Sequence, residues 1–179
     1  MHLRHDTEEM TPTTHVASSC LIAVVTLQSG LDNVQQVVTV AGSSFLLHLI
    51  LDIFPHGYIA TPATIFKKVV PTIVEMLPPP FILITAICLF DNTFLFLTAS
   101  FFGIFPDIIT MLFYKRREMI ARIPYFMFIH KIHRKVHWFE TEHSDGTVSF
   151  LFPNVFLLVC EAFFIIIIVT ILFFLFYNL

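Results

Sequence analysis

Three side chains that can bind a metal or a proton recur every four residues at the end of a long apolar segment: His48, Asp52 and His56. Residues four apart share one face of a helix, so these three would project together from its last turns. Pro55 has no N–H to donate and disfavours helix at the preceding residue, which predicts that the helix ends or kinks near Phe54. The spacing predicts a metal-binding or proton-handling site. The alternative is a polar helix end lying among lipid headgroups.

Further candidates lie near the ends of other segments. His15 is one turn into the first apolar segment, and Asp107 follows a proline near the end of the fourth. Three imidazoles of the polar segment are spaced three and four residues apart, which places them on one helical stripe. That stripe is also typical of an amphipathic helix lying in the membrane interface, and such a helix could still supply a ligand from above. The full set of predicted metal ligands is His15, His48, Asp52, His56, Asp107, His130, His133 and His137.

The composition is that of a membrane protein. Of the 179 residues, 56% are hydrophobic and only 13% are charged, whereas a soluble domain carries about 25% charge. The three cysteines lie in apolar segments and form no CxxC pair, so we expect reduced packing residues rather than disulfides or zinc thiolates.

Five apolar segments predict an all-α polytopic bundle with about five transmembrane helices, in a single domain over residues 1–179. A bilayer core needs roughly 20 helical residues. The segments at 34–54, 93–114 and 153–177 meet this length, whereas 12–27 is diluted by polar residues. The segment at 69–90 contains three prolines, and we expect its regular part to start near Phe81. Residues 115–152 form a polar, amphipathic segment on the cytoplasmic or interfacial side.

The basic residues predict the orientation. With five spans, all ten Lys and Arg residues fall on one side, in the N-terminal tail, the 57–68 loop and the 115–152 segment. The other side, with the turns near Gly30 and Asp91 and the C-terminus, has none. Positive residues stay in the cytoplasm, so we expect the N-terminus inside and the C-terminus outside. The candidate ligands would then share one depth, in a pocket that opens to the cytoplasm.

The order of these motifs resembles a known family. Thr11-Pro12-Thr13-Thr14-His15, then H-x3-D-x2-P-H at 48–56, then Gly103-Ile-Phe-Pro106-Asp107 is similar to small bacterial integral membrane proteins described as membrane-bound, metal-dependent hydrolases. The resemblance covers about residues 10–140. It implies that His15, His48, Asp52, His56 and Asp107 are metal-site positions and that the bacterial cytoplasmic (inner) membrane is the location. Gly57-Tyr58 departs from the family, where an aromatic and an acidic residue are expected, and this removes one ligand.

The leading hypothesis is a membrane-embedded, metal-dependent hydrolase that cleaves a phosphoester or a lipid-linked substrate at the cytoplasmic leaflet. A divalent ion, zinc first and manganese or iron as alternatives, would lower the pKa of its water to about 7. Asp52 or Asp107 would take the proton as catalytic residues. The basic segment would hold anionic headgroups, so membrane lipids are the expected partners and nucleic acid is not.

Two other classes of function stay open. A metal or proton carrier could use the same groups as a relay, but it would need polar residues across the whole bilayer. A structural membrane protein could keep the polar cluster only to join its helices. No serine elbow, P-loop or HExxH motif supports another enzyme class.

Overall fold

The computed structural model describes residues 12–53, 77–115, 122–136, 140–142, 148–150 and 154–177. Within these ranges the chain forms six helices, namely α1 Pro12–Leu27, α2 Asn33–Leu51, α3 Pro78–Phe90, α4 Thr93–Lys115, α5 Pro124–Val136 and α6 Asn154–Tyr177. The predicted all-α class is confirmed for this part of the chain. Two three-residue strands, β1 (Glu140–Glu142) and β2 (Val148–Phe150), pair antiparallel between α5 and α6 and were not predicted.

In the part of the chain that the structure describes, three helical segments are long and apolar enough to cross a membrane: Asn33–Leu51, Thr93–Thr110 and Val159–Tyr177. Their outward side chains are large and apolar, which suits contact with lipid. α1 and α3 are also apolar, but they have only 16 and 13 residues. At 1.5 Å per residue, such helices are shorter than the roughly 30 Å hydrocarbon core. The fold is therefore compatible with an integral membrane protein.

α1 lies at the centre of the bundle, where it contacts α2, α3, α4 and α6. Most of its side chains are buried, including Thr14, Ser18 and Ser19. Its hydroxyl groups are therefore enclosed within the bundle, and the Ser18 hydroxyl donates to the Thr14 carbonyl of the same helix at 2.8 Å. Small residues let helix backbones approach closely inside a bundle. Among the apolar helices described, the most polar one is thus the most enclosed.

The boundaries of α3 follow from its terminal residues. The helix begins at Pro78, three residues before the expected start at Phe81. Prolines fit the first turn because the N–H groups there have no partner within the helix. Asp91 adopts a left-handed φ of 49° and ends α3, and the side chain of Asn92 accepts a hydrogen bond from the Leu95 N–H at 3.1 Å. The predicted turn at Asp91-Asn92 is confirmed.

Gly103 allows α4 to lie directly against α1. A Cβ at this position would overlap the Ser19 hydroxyl, and it would come within 3.1 Å of Ser19 Cβ and 3.3 Å of the His15 carbonyl oxygen. The carbonyl cannot rotate away, because it belongs to the backbone of α1. The two helices can keep this spacing only if position 103 has no side chain.

Gly103→Ala is expected to lower the free energy of unfolding by about 1–3 kcal/mol, the usual cost of overpacking. Thermal unfolding of the detergent-solubilised protein measures this change. Gly42→Ala in α2 is the matched control, since a Cβ there meets nothing within 4 Å. That variant should leave stability unchanged or raise it by up to about 1 kcal/mol. Equal melting temperatures for the two variants would contradict the close approach of α1 and α4.

Candidate metal centre

Three helices bring four metal-binding side chains together at one end of the bundle. His48 lies in the last turn of α2, and Asp52 ends that helix by donating its N–H to the His48 carbonyl at 3.0 Å. The two side chains share a face, as their spacing predicts, and each is 1% exposed. Asp107 comes from α4, directly after Pro106, and His133 comes from the buried face of α5.

These four residues, His48, Asp52, Asp107 and His133, form what we call the His–Asp cluster, with four ligand atoms within 4.8 Å of one another. His48 Nε2 lies 2.9 Å from Asp52 Oδ2 and 3.2 Å from Asp107 Oδ1. His133 Nε2 lies 2.9 Å and 3.1 Å from the same two oxygens. The Nε2 atom of each imidazole therefore faces both carboxylates, and each carboxylate faces both imidazoles.

The far side of each imidazole is held by α4. His48 Nδ1 lies 2.6 Å from the Gly103 carbonyl oxygen, and a carbonyl can only accept, so Nδ1 carries the hydrogen. When the ring is neutral, its lone pair is therefore on Nε2, the nitrogen that faces the carboxylates. His133 Nδ1 lies 2.9 Å from the Thr110 hydroxyl. Such outer hydrogen bonds are typical of histidines that bind metals.

His15 lies beside the His–Asp cluster, outside its four members. Its Nε2 is 3.4 Å from Asp52 Oδ1, the oxygen of Asp52 that does not face the cluster. Its ring lies over that of His48, with 4.0 Å between ring centroids, and it is 1% exposed. His15 therefore contacts Asp52 on the side away from the cluster.

Two buried carboxylates facing each other need compensating positive charge. Protons on the rings can provide it. Burial lowers the pKa of His133, but hydrogen bonds with Asp107 and Asp52 and the charges of both carboxylates outweigh it and raise that pKa to about 9. A divalent cation can provide the charge instead, once the rings are neutral.

The donor set fits a divalent metal ion. Ligand bonds of about 2.1 Å in a tetrahedral site place the ligand atoms roughly 3.4 Å apart, close to the 2.9–3.2 Å between nitrogen and oxygen here. Imidazole and carboxylate ligands suit zinc, manganese and iron. The three cysteines are free thiols outside this group; Cys20 is buried, as expected of a packing residue, whereas Cys88 and Cys160 are exposed. The His–Asp cluster can therefore hold a metal ion.

The other predicted ligands have different outcomes. His130 is buried one turn before His133 on α5, and its Nδ1 lies 3.4 Å from the Thr110 hydroxyl, so it adjoins the cluster without belonging to it. His56 and His137 lie outside the described residues. Sequence reasoning overlooked Thr110, although its place three residues after Asp107 indicates a shared helix face.

The two faces of α5 differ in composition and burial. Its inner face carries His130 and His133, which are buried at the cluster. Its outer face exposes Tyr125 and Phe128, together with Lys131. Aromatic and basic residues on one face are typical of a helix at the membrane interface. α5 therefore has one face packed at the cluster and an opposite, exposed face with the composition of an amphipathic surface helix.

No family model matches this chain, and no curated protein or solved structure matches it either. The resemblance of its motifs to membrane-bound, metal-dependent hydrolases stays a prediction. The His–Asp cluster and the residues that contact it are the features of this chain that indicate a function.

Proposed function

We propose that this protein is a metal-dependent hydrolase embedded in the membrane, acting on a phosphoester or another lipid-linked bond at the cytoplasmic leaflet. The observation that carries the proposal is the convergence of His48, Asp52, Asp107 and His133 from three helices. Buried titratable groups in membrane proteins are costly and usually functional. Interhelical hydrogen bonds are worth only about 0.6 kcal/mol on average, which is weak support for a merely structural role.

The exposed fractions of the four side chains suggest which of them bind the metal and which transfers the proton. Catalytic metal sites keep three protein ligands and one open position. Asp52 is 1% exposed and His133 2%, whereas the side chain of Asp107 is 13% exposed. We therefore assign His48, Asp52 and His133 to metal binding, and Asp107 to proton transfer at the accessible edge.

A divalent ion, when bound, supplies a water with a pKa near 7 and a positive charge for the phosphoryl oxygens. Asp107 takes the proton from the attacking water. The water oxygen forms a bond to phosphorus, the ester P–O bond breaks, and the same proton returns from Asp107 to the leaving oxygen. Asp52 and the two imidazoles stay fixed throughout, because Gly103 and Thr110 of α4 contact the imidazoles and His15 of α1 contacts Asp52.

The distribution of imidazoles and carboxylates favours an enzyme over a carrier. Among the described residues, the buried histidines and aspartates lie in or near the cluster. The buried Glu161 accepts a hydrogen bond at 2.7 Å from Thr14, the residue before His15. In the halves of α2 and α4 farther from the cluster, the described residues bury Val40, Phe96 and Ser100, but no imidazole or carboxylate. A relay of titratable groups across the bilayer would need them in those halves as well.

We further propose five spans in the bacterial inner membrane, with the N-terminus in the cytoplasm and the C-terminus outside. The separation of all ten basic residues to one side supports this orientation. Lys131 and Lys135 are exposed on α5, at the cluster end, while the turns at the opposite end carry Asp32 and Asp91. The basic face of α5 would hold anionic lipid headgroups, each basic residue contributing on the order of 1 kcal/mol.

Inside-out membrane vesicles that contain the protein are expected to hydrolyse phosphoesters added to the medium, whereas right-side-out vesicles are not. The assay follows release of phosphate or of the alcohol from a panel of phospholipids and soluble phosphoesters, with zinc or manganese supplied. Asp107→Asn should lower the rate at least about 100-fold, the order expected for loss of a general base.

The metal content of Asp107→Asn distinguishes catalysis from binding. We expect Asp107→Asn to keep its bound metal while it loses hydrolytic activity. Absence of hydrolysis across the panel in metal-loaded protein of both vesicle types would contradict the hydrolase assignment. Activity confined to right-side-out vesicles would contradict the orientation alone.

A further inference from the structure

Thr110 occupies a buried position between two imidazoles. It lies on α4 three residues after Asp107 and is 4% exposed. Its hydroxyl oxygen is 2.9 Å from His133 Nδ1 and 3.4 Å from His130 Nδ1. One helix therefore supplies both a carboxylate of the His–Asp cluster and the group behind the opposite imidazole.

The single hydrogen of the hydroxyl limits how these groups can bond. When His133 is neutral and presents the Nε2 lone pair to a metal, its Nδ1 must carry the ring hydrogen. That hydrogen is donated to Thr110 Oγ1, and the hydroxyl hydrogen is then free to point at His130 Nδ1. His48 follows the same pattern with the Gly103 carbonyl as its acceptor. Both imidazoles of the cluster are thus held by acceptors on α4.

We propose that Thr110 is a positioning residue of the metal site, whose hydroxyl fixes the ring orientation and the tautomer of His133. This inference rests on the proposed metal-dependent function and extends it to a residue that touches no ligand atom of the cluster directly. Outer hydrogen bonds of this kind set the orientation and basicity of a histidine ligand, and their loss typically costs 10–100-fold in metal affinity.

Two substitutions separate positioning from packing. Thr110→Val keeps the shape of the side chain and removes the hydroxyl, whereas Thr110→Ser keeps the hydroxyl and removes a methyl group. We expect zinc affinity, measured by competition with a chelating dye on the detergent-solubilised full-length protein, to fall about 10–100-fold in Thr110→Val. Thr110→Ser should stay within about threefold of wild type. A packing role predicts the opposite order, because only Ser leaves a cavity.

A spectroscopic measurement reports the tautomer itself. In zinc-loaded wild type and Thr110→Ser, 15N spectra of labelled histidines should show two rings with metal-bound Nε2 and protonated Nδ1. Thr110→Val should lose this state for one ring. Wild-type affinity in Thr110→Val, or weak binding in Thr110→Ser, overturns the inference while the proposed function stands. A wild-type protein that binds no zinc overturns both.

Discussion

Asp52→Asn is expected to abolish stoichiometric metal binding, with a loss of affinity of more than about 100-fold. Asp52 Oδ2 lies 2.9 Å from Nε2 of both His48 and His133, so this carboxylate joins the two imidazoles. Asparagine keeps the shape but removes the negative charge that a divalent cation needs in a buried site. Loss of an outer hydrogen bond alone costs 10–100-fold, so loss of a ligand should cost more. Elemental analysis of the purified protein measures the stoichiometry.

Asp91→Asn is the matched control for this substitution. Asp91 is exposed and ends α3 with a φ of 49°, a conformation that asparagine also accepts. Its metal content should equal that of the wild type. Stoichiometric metal in Asp52→Asn would contradict the site, and absence of metal from wild type, Asp52→Asn and Asp91→Asn alike would favour the structural alternative.

The local part of the site could be predicted from the sequence because it depends only on helix periodicity. A four-residue spacing puts His48 and Asp52 on one face whatever surrounds them, and the structure has them 2.9 Å apart. The contacts with Asp107 and His133 depend instead on how α4 and α5 pack against α2. Periodicity could name these residues as candidates, but it could not tell that they, and not His15, would complete the group of four.

Hydropathy marked α1 as the weakest span, and α1 is indeed not among the three candidate spans, but hydropathy gave no sign of its central place in the bundle. The scale scores Thr14, Ser18 and Ser19 as poor lipid contacts, and the segment therefore looks like the weakest span. In the structure these side chains are buried among four other helices, where small polar residues permit close packing. A single-sequence pattern cannot distinguish a helix surrounded by protein from one that is poorly suited to lipid.

The sequence around Asp145-Gly146 favours a turn, but the strand pair on either side of it was not predicted. β-Branched residues, which favour strands, flank this turn at Thr141 and Val148. The structure pairs Thr141 with Ser149 and Glu142 with Val148. The turn itself lies outside the described residues. The charge and hydropathy of residues 115–152 indicate an amphipathic surface segment and do not specify a strand pair.

The effect of pH on stability is expected to reverse sign when metal is added. In the metal-free protein, Asp107 and Asp52 raise the pKa of His133 from its ordinary 6.5 to about 9. The folded state therefore binds the proton more tightly than the unfolded state, and the resulting stability is complete below about pH 6.5. It is lost as the pH rises through about 9. Melting temperatures of chelator-treated protein should fall by several degrees between pH 7 and 9.5.

Metal-loaded protein should behave oppositely, because a bound ion needs the neutral imidazole of His133. Displacing one proton makes the apparent metal affinity rise about tenfold per pH unit up to about pH 9. At a fixed total metal concentration, stability should therefore increase over the range in which the metal-free protein loses it. His133→Asn removes the titrating ring and should flatten both curves. If the melting temperature depends on pH in the same way in wild type and in His133→Asn, with and without metal, the His133 proton and the metal do not compete for one site.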